Sequence, residues 1–171
     1  MYHTLQLVRA EASVKSFDIR SVNVLRTYAR GLAFGYQFDV QLGDAETMHK
    51  DFQGDWAVIF HCGILYHLKD PITHLKNISN MAKYLMLDTH VGRPDETILA
   101  GNKRYQGHYH DEHGWNDPLS GKGPISFMLT EESILRLAED MDLKLIEKSH
   151  AWSPDRMFFL FKKKRRSFLS R

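Results

Sequence analysis

The sequence predicts an α/β protein with a mostly parallel sheet and helices on both of its faces. Short apolar strand-like segments alternate with amphipathic segments of helical spacing. The apolar run WAVIF, residues 56–60, predicts a strand buried on both faces, as in a parallel sheet. The segments LKLIEKSHAW and DRMFFLFKKK, joined by the turn signal SPD, predict an antiparallel strand pair at the C-terminus.

The first third of the chain reads as helix, strand, helix and strand. HTLQLVRAEA, residues 3–12, has helical spacing, and SVKSFDI, residues 13–19, follows as a strand. VNVLRTYARGLA predicts a helix that stops near Gly31, because glycine suits the position just after a helix. YQFDVQLGDAE, residues 36–46, predicts a second strand that leads into a turn.

The remainder continues the alternation and contains one irregular segment. Asp70 and Pro71 predict the start of a helix that runs to about Ala82, and YLMLDTHV predicts the next buried strand. Residues 92–125 show little periodicity, which indicates a lid or insertion with a functional role. Thr130, with Ser133 three residues later, predicts the capped start of a helix that reaches Met141.

Composition indicates one ordinary globular domain, residues 1–162, followed by a basic tail, residues 163–171. No apolar run approaches the ~20 residues that a membrane span needs, so we expect no membrane-spanning segment. The N-terminus lacks a signal-peptide pattern, so a cytoplasmic protein is expected. A single cysteine, Cys62, excludes an internal disulfide and suits a reducing compartment. The tail would either contact nucleic acid or acidic membrane, or be a solvated end.

Candidate ligand-binding residues lie where the predicted strands end, because open parallel sheets bind ligands beyond these carboxyl ends. Asp18 ends the first strand and Asp44 follows the second, where acids suit a ribose and an adenine amino group. Gly63 ends the third strand and would let the backbone approach a ligand closely. Asp18 could equally cap the helix that starts near Ser21, and Asp44 and Glu46 could be solvated turn acids.

Four segments together resemble a known family: SVKSFDIR, LGDAE, DWAVIFHCGILYHLKDP and SFMLTEESILRLAE. They look like successive motifs of class I S-adenosylmethionine-dependent methyltransferases, nearest the branch with G-x-L-Y-H-L-x-D-P that includes tRNA wobble-uridine carboxymethyltransferases. The resemblance implies a Rossmann-like fold and S-adenosylmethionine as the cofactor. It implies transfer of a methyl group to an N or O nucleophile of a small molecule or RNA. The implied cofactor-binding residues are Asp18, Asp44, Ala45, Glu46, His61 and Gly63.

The resemblance also implies an acceptor side. Tyr66 and His67 would open onto the acceptor, with His67 as a base where the acceptor must lose a proton. Both residues could instead be packed in the core. Cys62 is expected to be an inert, small apolar residue.

The resemblance also implies that the histidine-rich segment GHYHDEHGW lies over the acceptor. The predicted substrate-binding residues are Tyr105, His108, His110 and Trp115. A metal site at His108, His110, Asp111 and His113 is the less favoured alternative, so no metal is predicted. A surface loop rich in histidine is the third possibility.

The sequence departs from the family pattern at its N-terminus. The family's first strand and glycine-rich loop would precede residue 2, so a shortened domain is expected. Three readings are open: an incomplete gene product whose fuller form methylates, a naturally shortened protein whose flanking strands pair directly, and a sheet in which another chain replaces the lost strand. On the last two readings a homo-oligomer or partner complex is expected, because unpaired strand edges invite pairing. The alternatives to methyl transfer are a non-catalytic homologue that acts through such an interface and an enzyme that cleaves the cofactor.

Overall fold

The computed structural model describes residues 2–52, 54–117 and 119–164. The chain divides into two compact units, residues 1–52 and residues 53–171. Most of the predicted basic tail lies outside the described residues, and the single domain at residues 1–162 stays a prediction. The predicted mixed α/β class, with parallel strand pairing and a C-terminal antiparallel pair, is confirmed.

The first unit consists of α1 (Tyr2–Arg9), β1 (Lys15–Asp18), α2 (Ser21–Ala33), β2 (Asp39–Leu42) and the short helix α3 (Ala45–Met48). Strands β1 and β2 are parallel neighbours, with Lys15 opposite Asp39 and Asp18 opposite Leu42. Both carboxyl ends therefore lie at one edge of this small sheet.

Helix α2 does not stop at Gly31, which corrects the sequence prediction. Gly31 is buried inside the helix. A Cβ there would lie 2.9 Å from the Tyr36 carbonyl oxygen and 3.0 Å from the Phe38 ring, so glycine allows this close approach. Gly35, with φ of +77°, takes the left-handed conformation just after the helix. The glycine that the sequence assigned to helix termination thus serves close packing.

The second unit consists of β3 (Trp56–Cys62), a 3₁₀ turn (Leu65–His67), α4 (Pro71–Ile78), β4 (Ala82–His90), β5 (Glu96–Ala100), β6 (Lys103–Asp111), a 3₁₀ turn (Gly114–Asn116), β7 (Ile125–Leu129), α5 (Glu131–Asp140), β8 (Leu143–His150) and β9 (Arg156–Lys163). Its main sheet has the order β3-β4-β9-β8. Strands β3 and β4 are parallel, and β9 is antiparallel to both β4 and β8. The stacked, fully buried rings of Phe159 and Phe161 help to form the core of this unit.

Strand β3 is not buried on both faces, which corrects a second prediction. Val58 is 43% exposed, and Ala57 is exposed as well. The reason is its place in the sheet: among the described residues, β3 is the end strand, with β4 as its neighbour. An apolar sequence indicates that a strand can be buried, but it does not indicate how many strands pair with it.

The segment at residues 92–125 is more regular than its composition indicates. Strands β5 and β6 form an antiparallel hairpin, and β7 pairs with β6 to complete a three-stranded sheet. Gly101, with φ of +68°, and Asn102 make the tight hairpin turn. On β6 the buried residues are Tyr105 and Gly107, and a glycine at a buried position hides the alternation from a hydrophobicity pattern.

Two predicted helix starts are confirmed by their capping hydrogen bonds. Asp70 Oδ1 accepts the Thr73 N–H at 2.9 Å, and Thr130 Oγ accepts the Ser133 N–H at 3.1 Å. Helix α4 ends at Ile78 rather than near residue 82. No helix among residues 2–52, 54–117 and 119–164 is long and apolar enough to cross a membrane.

Candidate active site

Asp18 stands at the carboxyl end of β1 and is half-buried. Its Oδ1 accepts the backbone N–H of Arg20 at 2.8 Å, and its Oδ2 accepts from the Asn23 side chain at 3.1 Å. These bonds fix the carboxylate at the start of α2, although Arg20 and not Asp18 occupies the N-cap position. A carboxylate has about four lone-pair sites, so Asp18 retains capacity to accept hydroxyl donors of a ligand.

The turn after β2 holds the second predicted group of cofactor residues. Asp44 caps α3, since its Oδ1 accepts the Glu46 N–H at 3.0 Å. Ala45 is buried, whereas the Glu46 side chain is exposed. The structure therefore gives Asp44 a local structural role at the start of α3.

In the second unit, an ion pair lies at the carboxyl ends of β3 and β4. Arg156 forms a bidentate ion pair with Asp88. Its Nε donates to Oδ1 at 2.7 Å, and its Nη2 donates to Oδ2 at 2.9 Å. The Cys62 thiol donates to Asp88 Oδ2 at 3.0 Å. Burial and the neighbouring Asp88 carboxylate raise the pKa of Cys62 to about 12. Cys62 is therefore a neutral thiol near pH 7, as expected for an inert residue.

Gly63 and Tyr66 lie beside this ion pair. Gly63 has φ of +68°, and its N–H donates to the Asp88 carbonyl oxygen at 2.9 Å. A Cβ on Gly63 would lie 3.6 Å from the Tyr66 hydroxyl and 3.8 Å from Arg156 Nη2. Burial raises the pKa of the Tyr66 phenol, so Tyr66 is a neutral hydrogen-bonding group rather than a base.

His67 forms a hydrogen-bonded pair with a residue 45 positions away. Its Nδ1 lies 2.9 Å from Oε1 of Glu112, whose side chain is 2% exposed. His67 itself is 22% exposed, and its Nε2 has no hydrogen-bond partner within the described part of the chain. The pair thus presents one free ring nitrogen, with the other nitrogen held by a buried carboxylate.

The loop after β6 is built to keep Glu112 ionised. Burial opposes ionisation, but hydrogen bonds from the Ser120 hydroxyl, the Gly121 N–H and His67 outweigh it and lower the pKa of Glu112. Gly121 is required for this approach because a Cβ there would lie 2.8 Å from the His67 carbonyl oxygen and 3.1 Å from Glu112 Cδ. An ionised carboxylate only accepts hydrogen bonds, so the neutral His67 ring carries its proton on Nδ1 and its lone pair on Nε2.

His61 does not lie with these groups, although it precedes Cys62 directly. Successive side chains of a strand point to opposite faces. The His61 ring is buried against α4, with its Nε2 2.8 Å from Nε2 of His74. A side chain that is 5% exposed offers no surface to a cofactor, which corrects the predicted role of the His61 side chain.

Tyr105 is also placed in the core and not on an acceptor surface. Its side chain is fully buried, and its hydroxyl donates to Asp140 Oδ2 at 2.6 Å. His108 is half-buried, and its Nδ1 accepts the Arg93 N–H at 3.0 Å. Burial and the neighbouring Arg93 lower the pKa of His108. The described residues thus give Tyr105 and His108 local structural partners.

His110 and Trp115 are exposed, as a substrate-binding role would require. His110 lies opposite Ser126 in the β6–β7 ladder, and Trp115 lies in the 3₁₀ turn after it. No group of three or more histidine, cysteine or acidic side chains suited to hold a metal ion occurs in the part of the chain that the structure describes.

Sequence reasoning assigned no site role to five residues that surround the Cys62, Tyr66 and His67 side chains. These are Asp88, His90, Glu112, Asp155 and Arg156. Glu112 belongs to the histidine-rich segment, but nothing in the local sequence distinguishes it from the exposed Asp111 beside it. Its burial depends on Ser120 and Gly121, which approach only after the loop has folded.

Known structures resemble this chain over most of its length. The N-terminal domain of EvdMO1 with SAH (S-adenosylhomocysteine) bound has a TM-score of 0.75 and 18% identity, covering 94% of this chain and 69% of that one. The same domain in the presence of SAH and D-fucose has a TM-score of 0.72 and 18% identity. The match covers 90% of this chain and 67% of that one. The fold is that of the class I methyltransferases.

A third structure supports this assignment of the fold. Magnesium protoporphyrin IX methyltransferase (ChlM) from Synechocystis PCC 6803 with bound S-adenosylmethionine has a TM-score of 0.61 and 15% identity, covering 94% of this chain and 64% of that one. The chain therefore spans about two thirds of the length of these solved chains, two of which are a single domain of EvdMO1. No protein-family model matches the sequence, and no curated protein matches it either.

The buried histidine pair predicts a pH-dependent stability. Burial and the nearby His74 lower the pKa of His61 from 6.5 to about 3, so between these values the unfolded chain binds a proton that the folded core does not. Stability is therefore fully present above about pH 6.5 and falls as the pH falls toward 3. Urea unfolding at several pH values should show this decline, and the double variant His61→Leu/His74→Leu should flatten it.

The exposed His113 provides the control, since His113→Gln should leave the pH dependence of the unfolding free energy unchanged. If the unfolding free energy falls equally steeply with pH in the wild-type protein and in the double variant, the buried pair does not govern acid stability.

Proposed function

We propose that the chain is an S-adenosylmethionine-dependent methyltransferase that acts on a nucleophile which must lose a proton. The observation that carries the proposal is His67, whose Nδ1 is held by the buried Glu112 while Nε2 stays accessible. A general base needs this arrangement: a fixed tautomer, a free lone pair and a carboxylate to stabilise the imidazolium that forms. The class I methyltransferase fold supports the assignment of the reaction type.

Within this proposal, residues at the carboxyl ends of β1 and β2 bind the cofactor. Asp18 would accept the ribose hydroxyls, and Asp44, Ala45 and Glu46 would contact the adenine. Both carboxylates are already held in place by backbone N–H groups, so little conformational freedom is lost when a ligand binds. EvdMO1 and ChlM, crystallised with SAH and with S-adenosylmethionine respectively, support the choice of cofactor.

The acceptor side is proposed around Tyr66 and His67, with the backbone of Gly63 beside Tyr66. The left-handed conformation of Gly63 leaves room beside the Tyr66 hydroxyl. His67 would accept the proton of the acceptor on Nε2 as the acceptor atom receives the methyl group. The imidazolium of His67 is then stabilised by the Glu112 carboxylate. A bound sulfonium cofactor supplies the activated methyl group.

A small molecule is the proposed acceptor. The similar structures include magnesium protoporphyrin IX methyltransferase and the EvdMO1 domain in the presence of SAH and D-fucose. RNA, the acceptor suggested by the tRNA-modifying branch, stays a prediction from the sequence motifs. The exposed His110 and Trp115 would border the acceptor. A cytoplasmic location also stays a prediction.

Strand β3 supports an additional proposal, that another strand pairs with it. It ends the main sheet of the described second unit, and Ala57 and Val58 are exposed although the run is apolar. Exposed apolar strands at sheet edges pair readily with another chain. The partner would be a second copy of this chain or a different protein. Sedimentation velocity at increasing protein concentration should show a concentration-dependent dimer, and a constant monomer would exclude pairing between copies.

Calorimetric titration with SAH tests the proposed cofactor. The wild-type protein should bind SAH, and Asp18→Ala should weaken binding by about 10–100-fold, because hydrogen bonds to a charged group are lost. Asn23→Ala is the matched control: it removes one structural donor to Asp18 and keeps the carboxylate, so affinity should change little. A folded wild-type protein that binds neither SAH nor S-adenosylmethionine would contradict the proposed function.

A further inference from the structure

The outward face of α2 is apolar, which is unusual for a helix at the surface of a protein. Thr27 and Gly31 are buried on its inner face, where the helix packs against β1 and β2. On the opposite face, Leu25 is 67% exposed, Leu32 is 58% exposed, and Val22 is exposed as well. Surface helices normally turn polar residues to the solvent, and exposed apolar patches with polar borders mark interaction sites.

The spacing of these residues is that of a contact line between two paired helices. Val22, Leu25, Ala29 and Leu32 follow one another at intervals of three, four and three residues. In the heptad notation abcdefg they occupy positions a, d, a and d, which form the seam of a helix pair. Ala29 is exposed like the other three, and its small side chain allows a partner helix to approach closely. These four residues are called the α2 seam below.

A cationic edge borders one side of the α2 seam. Arg26 occupies the e position beside Leu25, and Arg30, four residues further on, lies on the same side of the helix. Both side chains are exposed, and neither forms an ion pair with a residue that the structure describes. Residues 19–38 contain no aspartate or glutamate. The edge is therefore complementary to a partner that carries carboxylates.

A second copy of the chain does not supply these carboxylates through its own α2. In an antiparallel pair of helices, the e edges face each other and would bring Arg26 of both copies together. In a parallel pair, Arg26 would face the g positions, which are Ser21 and Tyr28. An anionic lipid surface would meet both edges of the helix alike, whereas the arginines lie on one edge only. The one-sided charge thus favours a helix of another protein.

We propose that α2 binds an acidic amphipathic helix of a partner protein. The apolar side of the partner helix packs on the α2 seam, and its carboxylates pair with Arg26 and Arg30. No residue of the seam has been assigned to the cofactor or to the methyl acceptor, so this interaction surface is independent of the proposed methyl transfer. It is also separate from the strand pairing proposed for β3.

The test uses two synthetic peptides of three heptads, both with leucine at every a and d position. One peptide has glutamate at e and g, and the other has lysine there. Each carries a fluorescent label, and its anisotropy is followed as the full chain is added. The glutamate peptide should bind about tenfold more tightly than the lysine peptide, because two arginine–glutamate pairs replace two like-charged contacts.

Variants of α2 separate the charge from the apolar contact. Arg26→Glu/Arg30→Glu should reverse the preference, so that the lysine peptide binds more tightly, and an unfolded protein could not produce such a reversal. Leu25→Gln/Leu32→Gln should abolish binding of both peptides. Leu99→Gln is the matched control, since Leu99 on β5 is as exposed as Leu25, and it should leave binding unchanged.

Four results would overturn the inference. The first two are the absence of peptide binding and equal binding of the two peptides. The third is a dimer of the unliganded chain, seen by sedimentation velocity and lost in Leu25→Gln/Leu32→Gln, which would assign the α2 seam to a second copy. The fourth is binding to vesicles of phosphatidylserine and phosphatidylcholine, lost in the same variant and without a peptide preference, which would assign the seam to a lipid surface.

Discussion

The hydrogen bond between His67 and Glu112 is the constraint on which the candidate site depends. It joins the 3₁₀ turn after β3 to the loop after β6, and the Phe127 N–H, which donates to the Leu68 carbonyl oxygen, fastens β7 to the same turn. A buried carboxylate without such donors would carry a large desolvation cost. The loop satisfies Glu112 with Ser120, Gly121 and His67, so folding of the loop and orientation of the histidine are one event.

Strand alternation divides the polar residues of the second unit into two sets. The Cys62 side of the sheet carries the Asp88–Arg156 ion pair, with Tyr66 above it and His90 nearby. The neighbouring residue His61 faces α4 and is buried as a neutral ring. One face of the sheet therefore holds accessible, charge-stabilised groups, whereas the other holds groups that stabilise the core only while they stay neutral.

Helices and strands were predictable where the residues that determine them are close together in the sequence. Asp70 with Pro71, and Thr130 with Ser133, mark helix starts because capping needs only residues three positions apart. The predicted end of α2 at Gly31 was wrong because glycine occurs both where the backbone is left-handed and where elements pack closely. The approach of Tyr36 and Phe38 shows that Gly31 serves close packing. The three-stranded sheet was missed because its buried positions include Gly107.

The site was predictable only in part, for a physical reason. The position of His67 after a sheet strand follows from the order of elements, but its partner Glu112 is brought close by a loop that no local pattern describes. The same holds for His90 and Asp155, which are 65 residues apart. Sequence thus indicates which residues can perform chemistry, while the tertiary fold decides which of them receive a partner that fixes their protonation.

The tautomer of His67 tests the central claim most directly. Two-bond ¹H–¹⁵N correlation spectra of the uniformly ¹⁵N-labelled protein report which nitrogen of each neutral imidazole carries the proton, and His67→Gln assigns the signal. The structure predicts the Nδ1–H form for His67 in the wild-type protein and its loss in Glu112→Gln. An Nε2–H form in the wild-type protein would contradict the account, because His67 would then have no lone pair to receive a proton from an acceptor.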